Sequence, residues 1–139
     1  MTYKYGEIFE RLGIPGMGHL GATWCELDPQ GILVLMAHQN YVHKRNGPWV
    51  YEMPHEGKLP TRSSSATRSL KMIATYFEPE RAIILPVAEF VTDGGLREDG
   101  TWEPSSFKHA TGDVYRGRMQ AFDRSTGYLL CAIDKRFSV

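Results

Sequence analysis

Apolar and polar positions change places abruptly between Gly31 and His43. Six apolar residues, Ile32 to Ala37, run without a break and give way to His38, Gln39, Asn40, Tyr41, Val42 and His43. A short unbroken apolar run beside turn residues predicts a strand buried on both faces. Its polar end places donors, acceptors and titratable groups at the rim of a core.

The flanking pattern predicts the remaining elements. Tyr5 to Leu12 carries Ile8, Phe9 and Leu12 on one side and is ended by Gly13, Pro15 and Gly16, as a short helix would be. His19 to Leu27 and Ile32 to Lys44 form a hairpin about Asp28-Pro29-Gln30-Gly31, and a second turn, Arg45-Asn46-Gly47-Pro48, leads into Trp49 to Met53. Three adjacent antiparallel strands result. A helix is expected from Ser65 to Glu78, with Ala66, Leu70, Ile73 and Phe77 on one face, serines as caps and Pro79 closing it.

Arg81 to Val91 is a strand in which Pro86 cannot donate to a ladder, which assigns it to an edge or a bulge. Thr92 to Asp113 shows no period and has turn pairs at Gly94-Gly95 and Asp99-Gly100, so it is expected to be a long connection. In the last hairpin, a turn at Asp123 to Gly127 sets Phe122 opposite Tyr128, Ala121 opposite Leu129, Met119 opposite Cys131 and Gly117 opposite Ile133. Arg116 then faces Asp134. The expected fold is a single α+β domain over residues 1–139: a strongly curved, mostly antiparallel sheet of about six strands around one long helix, with a short N-terminal helix.

The strand registers give the histidines their interest. Pairing Leu27 with Ile32 sets Gly21 opposite His38 and His19 opposite Asn40, while pairing Lys44 with Trp49 sets Asn40 opposite Met53 and His38 opposite His55. His19, His38, Asn40 and His55 then converge, above an apolar floor of Cys25, Val34, Met36 and Tyr51. On this reading His38 transfers a proton or contacts the ligand, His19 and His55 assist, and Asn40 and Tyr41 orient a polar substrate. The same three histidines, His19, His38 and His55, are the set that a divalent metal would use. No HExxH or CxxC pattern accompanies them. His43, diagonal to Glu52 on the other face, is expected to form a surface ion pair.

Two further ligand-binding features stand apart. Thr61 to Arg68, with Arg62, Ser64 and Arg68, suits a phosphate or carboxylate at a helix start, and solvated capping explains the same residues. Trp102 in the long connection, with Phe107 nearby, either covers the core or stacks on a ligand.

Composition limits the function classes. Acidic and basic residues balance at 16 each, which removes the long-range field of a phosphate-driven nucleic-acid binder and leaves only a local patch of Arg62, Arg68 and Lys71 as the basis for a nucleic-acid or protein-binding module. Cys25 and Cys131 lie far apart in apolar stretches, as buried thiols rather than a disulfide framework. No segment approaches the roughly 20 apolar residues of a membrane-spanning helix, and the N-terminus lacks a signal-peptide core. A cytoplasmic small-molecule-binding protein or small enzyme with a histidine-centred pocket is the expectation, and a homodimer with the histidine face as interface is a third arrangement.

Overall fold

A computed structural model describes residues 2–14, 25–53, 64–90, 95–96, 98–99, 102–103 and 107–138. Two helices, α1 (Tyr5–Arg11) and α2 (Ser64–Tyr76), accompany ten strands among these residues. The strands are β1 (Cys25–Leu27), β2 (Leu33–Leu35), β3 (Ala37–His38), β4 (Val42–Lys44), β5 (Trp49–Met53), β6 (Ala82–Phe90), β7 (Gly95–Leu96), β8 (Trp102–Glu103), β9 (Phe107–Asp123) and β10 (Tyr128–Ser138). Eight of them make one sheet in the order β1-β2-β6-β9-β10-β5-β4, with β3 also on β6, and β7 and β8 pair separately. The sheet is mixed, because β2 and β3 run parallel to β6, and it is not strongly curled. The expected strong curvature, six strands and single long helix give way to this arrangement.

The apolar run is buried on both faces. Leu33 and Leu35 join a core with Tyr51, Ile73, Ile83, Leu85, Met119, Leu129 and both cysteines, to which α2 contributes Ile73. Val34 and Met36 point the other way, into a second core with Ile8 and Phe9 of α1. The expected common floor of Cys25, Val34, Met36 and Tyr51 is therefore split between opposite faces. Burial raises the thiols of Cys25 and Cys131 to about 12, which leaves both protonated and inert at neutral pH.

Local chemistry explains where α1 stops. Gly13, at φ +85°, lets its own N–H reach Glu10 O while Ile14 N–H reaches Phe9 O at 2.9 Å, a Schellman closure that also brings Ile14 and Phe9 together in the second core. α2 begins one residue before the expected start and ends two before the expected end. Leu70 and Ile73 are buried on its inner face, while Arg68 and Lys71 are exposed on its outer one.

Expected registers are corrected at the first hairpin and along the middle strand. Leu27 pairs with Leu33, not Ile32, because the Asp28 carboxylate accepts from Gln30 N and Ile32 N at 2.9 Å and draws Ile32 into the turn. Gly21, expected opposite His38, lies outside the described residues. The strand predicted as Ile32 to Lys44 is interrupted at Met36 and again at a 3-10 turn, Gln39–Tyr41. Consequently Lys44 does pair with Trp49, but the ladder ends at Val42 opposite Tyr51, and His38 pairs with Ala88 of β6. Both expected hairpins form, β1 with β2 and β4 with β5, but the break in the middle strand sends them to opposite ends of the sheet.

Pro86 occupies an interior strand at a bulge rather than an edge. Its missing N–H falls where the β6 ladder passes from Val34 opposite Ile84 to Ala37 opposite Val87, across the Met36 break. On the other side β9 gains residues between Ala110 and Val114, with Gly112 at φ +90° and the Thr111 hydroxyl donating to Val87 O at 3.2 Å. β9 thus begins at Phe107, inside the stretch expected to be a connection. Its period is hidden in the sequence because its inward positions there are Ala110 and Gly112.

The β9–β10 hairpin keeps Met119 opposite Cys131 and Gly117 opposite Ile133, as the sequence predicts. Irregularities on either side change the rest: Phe122 faces Leu129, Ala121 faces Leu130 and Arg116 faces Lys135. Asp134 is instead held by Arg118 at 3.0 Å.

Candidate functional site

The chain turns at His38 because the imidazole caps the bend. His38 is extended at φ −70°, ψ 122°, and its Nδ1 accepts from Asn40 N at 3.1 Å, after which Val42 N–H returns to Gln39 O. An Nδ1 that accepts leaves the proton of the neutral ring on Nε2. The bend carries the chain from β3, paired with β6, to β4, paired with β5, and it lies against both β6 and β5.

His38 is 4% exposed, and its Nε2 is itself buried. Its ring stacks on Tyr41 and on Phe90, each at 4.6 Å between centroids. Tyr41 belongs to the rim of the first core and Phe90 to that of the second, so the imidazole joins the two. Phe107 meets Phe90 edge-on at 6.2 Å, and Tyr51 lies 6.4 Å from Tyr41. Burial pushes the Tyr51 phenol well above its usual range, against a smaller opposing influence from the His38 backbone. Four rings and two strand ends therefore fix the orientation of one imidazole.

His38, Asn40 and Tyr41 lie together at the bend, Asn40 exposed and Tyr41 half-buried. His19, His55 and Arg62 lie outside the described residues. Ser64 opens α2 and Trp102 pairs with Leu96 in β8, with their side chains outside the described set. Arg68 is exposed in α2. Asn40 does not pair with Met53, because the β4–β5 ladder ends at Val42 opposite Tyr51 and Asn40 lies in the 3-10 turn. Among the described residues no three His, Cys, Asp or Glu side chains are grouped to hold a metal ion. Nor is any described helix long and apolar enough to cross a membrane.

A second polar cluster surrounds Glu52. His43 Nε2 lies 2.9 Å from Glu52 Oε1, as the diagonal pairing predicts, while Arg45 and the Tyr128 hydroxyl donate to Oε2 at 3.0 and 2.5 Å. Arg45 and Tyr128 were not legible in advance, since Tyr128 reaches Glu52 only through the β5–β10 pairing. The Tyr128 hydroxyl lowers the Glu52 pKa most, against partial desolvation, with His43 and Arg45 adding to it. His43 also places Nδ1 3.2 Å from Lys44 O, so both ring nitrogens are engaged within the cluster. This is a clamp on the β4–β5 hairpin.

The clamp's stability contribution has a defined pH direction. A carboxylate whose folded pKa is depressed stabilises fully above its ordinary value, here 4.5, and loses that contribution as pH falls through the lowered one. Denaturant unfolding of Glu52→Gln is therefore expected to show a deficit against the parent at neutral pH that closes as the pH is lowered below the ordinary carboxylate range. A deficit constant with pH contradicts the ionic assignment.

Comparison with family models, curated proteins and solved structures finds no match to this chain.

Proposed function

We propose that this protein binds a polar small molecule at the bend centred on His38, with the imidazole serving as hydrogen-bond donor and acid-base group. The observation that carries the reading is the capture of one ring, in one tautomer, between Tyr41 and Phe90. A preorganised donor costs no reordering when an acceptor arrives, which favours a carbonyl, carboxylate or phosphoryl oxygen as the atom recognised. Asn40 and Tyr41 are the orienting groups on the same bend. Because His38 is buried, access runs through opening of the Gln39–Tyr41 turn, whose residues Gln39 and Asn40 are already exposed. Connections carry sites where a rigid scaffold positions them, and this bend lies between β6 and β5.

Long-range proton–nitrogen NMR of histidine-labelled protein tests this. The free protein should show His38 as the Nε2–H tautomer, and a panel of carboxylates, phosphates and amides should contain a member that shifts His38 together with the amides of residues 39–41. Saturating titration with the whole panel that leaves His38 unmoved contradicts the proposal.

A further inference from the structure

The β4–β5 hairpin presents a different surface from the His38 bend. Trp49 is 48% exposed, the exposed large hydrophobic residue among those described, and Lys44 directly across the ladder sets its Nζ 5.4 Å from the indole centroid. Asn46 and Gly47, at φ 54° and 104°, make the turn, closed by Arg45 N–H on Pro48 O at 2.8 Å. An Asn-Gly pair in this conformation matches the twist of a hairpin and holds its tip in one shape. At the base, Arg45 pairs with Glu52 at 3.0 Å while its side chain remains 48% exposed. A half-exposed indole, with Lys44 over one face and Arg45 beside the turn, thus sits on a rigid support.

We infer that this tip binds single-stranded nucleic acid, an unpaired base stacking on Trp49 while adjacent phosphates meet Lys44 and Arg45. The chemistry needed is a flat ring and a negative charge a few ångströms apart, repeated along a strand, and each nucleotide supplies both. Base pairing in a duplex hides the π-face, so duplex is disfavoured. The zero net charge of the chain confines the attraction to the tip, giving weak binding with a shallow salt dependence.

Fluorescence anisotropy of a labelled oligothymidylate, titrated with the full chain at low salt, is the test. Binding should weaken about tenfold in Trp49→Ala and remain near the parent's in Trp49→Phe, which keeps a stacking ring. Lys44→Gln should lower affinity and reduce the slope of log K against log salt by about 0.7. Equal binding of duplex, unchanged affinity in Trp49→Ala, or no binding of the oligonucleotide overturns the inference. Binding of phosphatidylserine vesicles in place of the oligonucleotide overturns it too, since Trp beside cations also suits an anionic membrane surface.

Discussion

Gly117→Ala is expected to be the most damaging single-methyl change in the described part of the chain. A Cβ at this position would lie 2.2 Å from the carbonyl oxygen of Ala132. The obstacle is backbone on β10, not the end of a flexible side chain, so relief requires the two longest strands to separate. Gly117 also pairs with Ile83 on β6, which blocks movement in the other direction. Opening the ladder here costs buried hydrogen bonds as well as packing, and we expect a loss of about 3 kcal/mol or more, a fall of roughly 10 °C in Tm. Gly31→Ala is the control: φ is +81° but nothing lies within 4 Å, so the cost is backbone strain alone, about 1 kcal/mol. Equal thermal shifts for the two variants contradict the close approach of β9 and β10.

His38→Ala is expected to have the second largest effect, because three things are lost together. The ring leaves a void between Tyr41 and Phe90, the Asn40 N–H loses its acceptor, and the link between the two cores is cut. Loss of a buried ring with its cap corresponds to about 3 kcal/mol. His38→Phe keeps the stack and removes only the nitrogen, so it should recover most of that loss and remain about 1 kcal/mol below the parent. Denaturant midpoints of the three proteins, with slopes compared to confirm that the same surface unfolds, give the ranking. If Phe is no better than Ala, the stacked arrangement does not hold the bend.

Both positions show how much was readable in the sequence. Met119 opposite Cys131 and Gly117 opposite Ile133 followed from alternation alone, since a register that keeps one face apolar is strongly specified. The doubly buried run followed for the same reason. What alternation does not encode is where a side chain competes with the ladder. Asp28 takes two backbone amides and shifts the first hairpin by one residue; His38 takes the Asn40 amide and converts a strand into a bend.

The same competition decided the candidate site. His38, Asn40 and Tyr41 were found, because polar residues at the end of a buried strand stand out in any register. The geometry joining them to His19 and His55 depends on an uninterrupted middle strand, and that strand breaks at Met36 and again at the 3-10 turn. Phe90, which stacks on His38, and Phe107, which meets Phe90 edge-on, are not marked as site residues by the sequence: the contact of Phe90 with His38 arises from a parallel pairing of β3 with β6 across many intervening residues. Pro86 and Met36 mark that junction in sequence, one lacking a donor and the other facing it across the interrupted ladder.

Mass spectrometry under native conditions tests ligand binding at His38 most directly. Parent protein and His38→Phe, each equilibrated with the low-mass fraction of a cell extract and dialysed, are compared for retained small molecules. The parent is expected to hold one molecule bearing a carbonyl, carboxylate or phosphoryl oxygen in stoichiometric amount, and the folded variant to have lost it. Retention of the same molecule by both proteins, or of none by the parent, would contradict binding at His38.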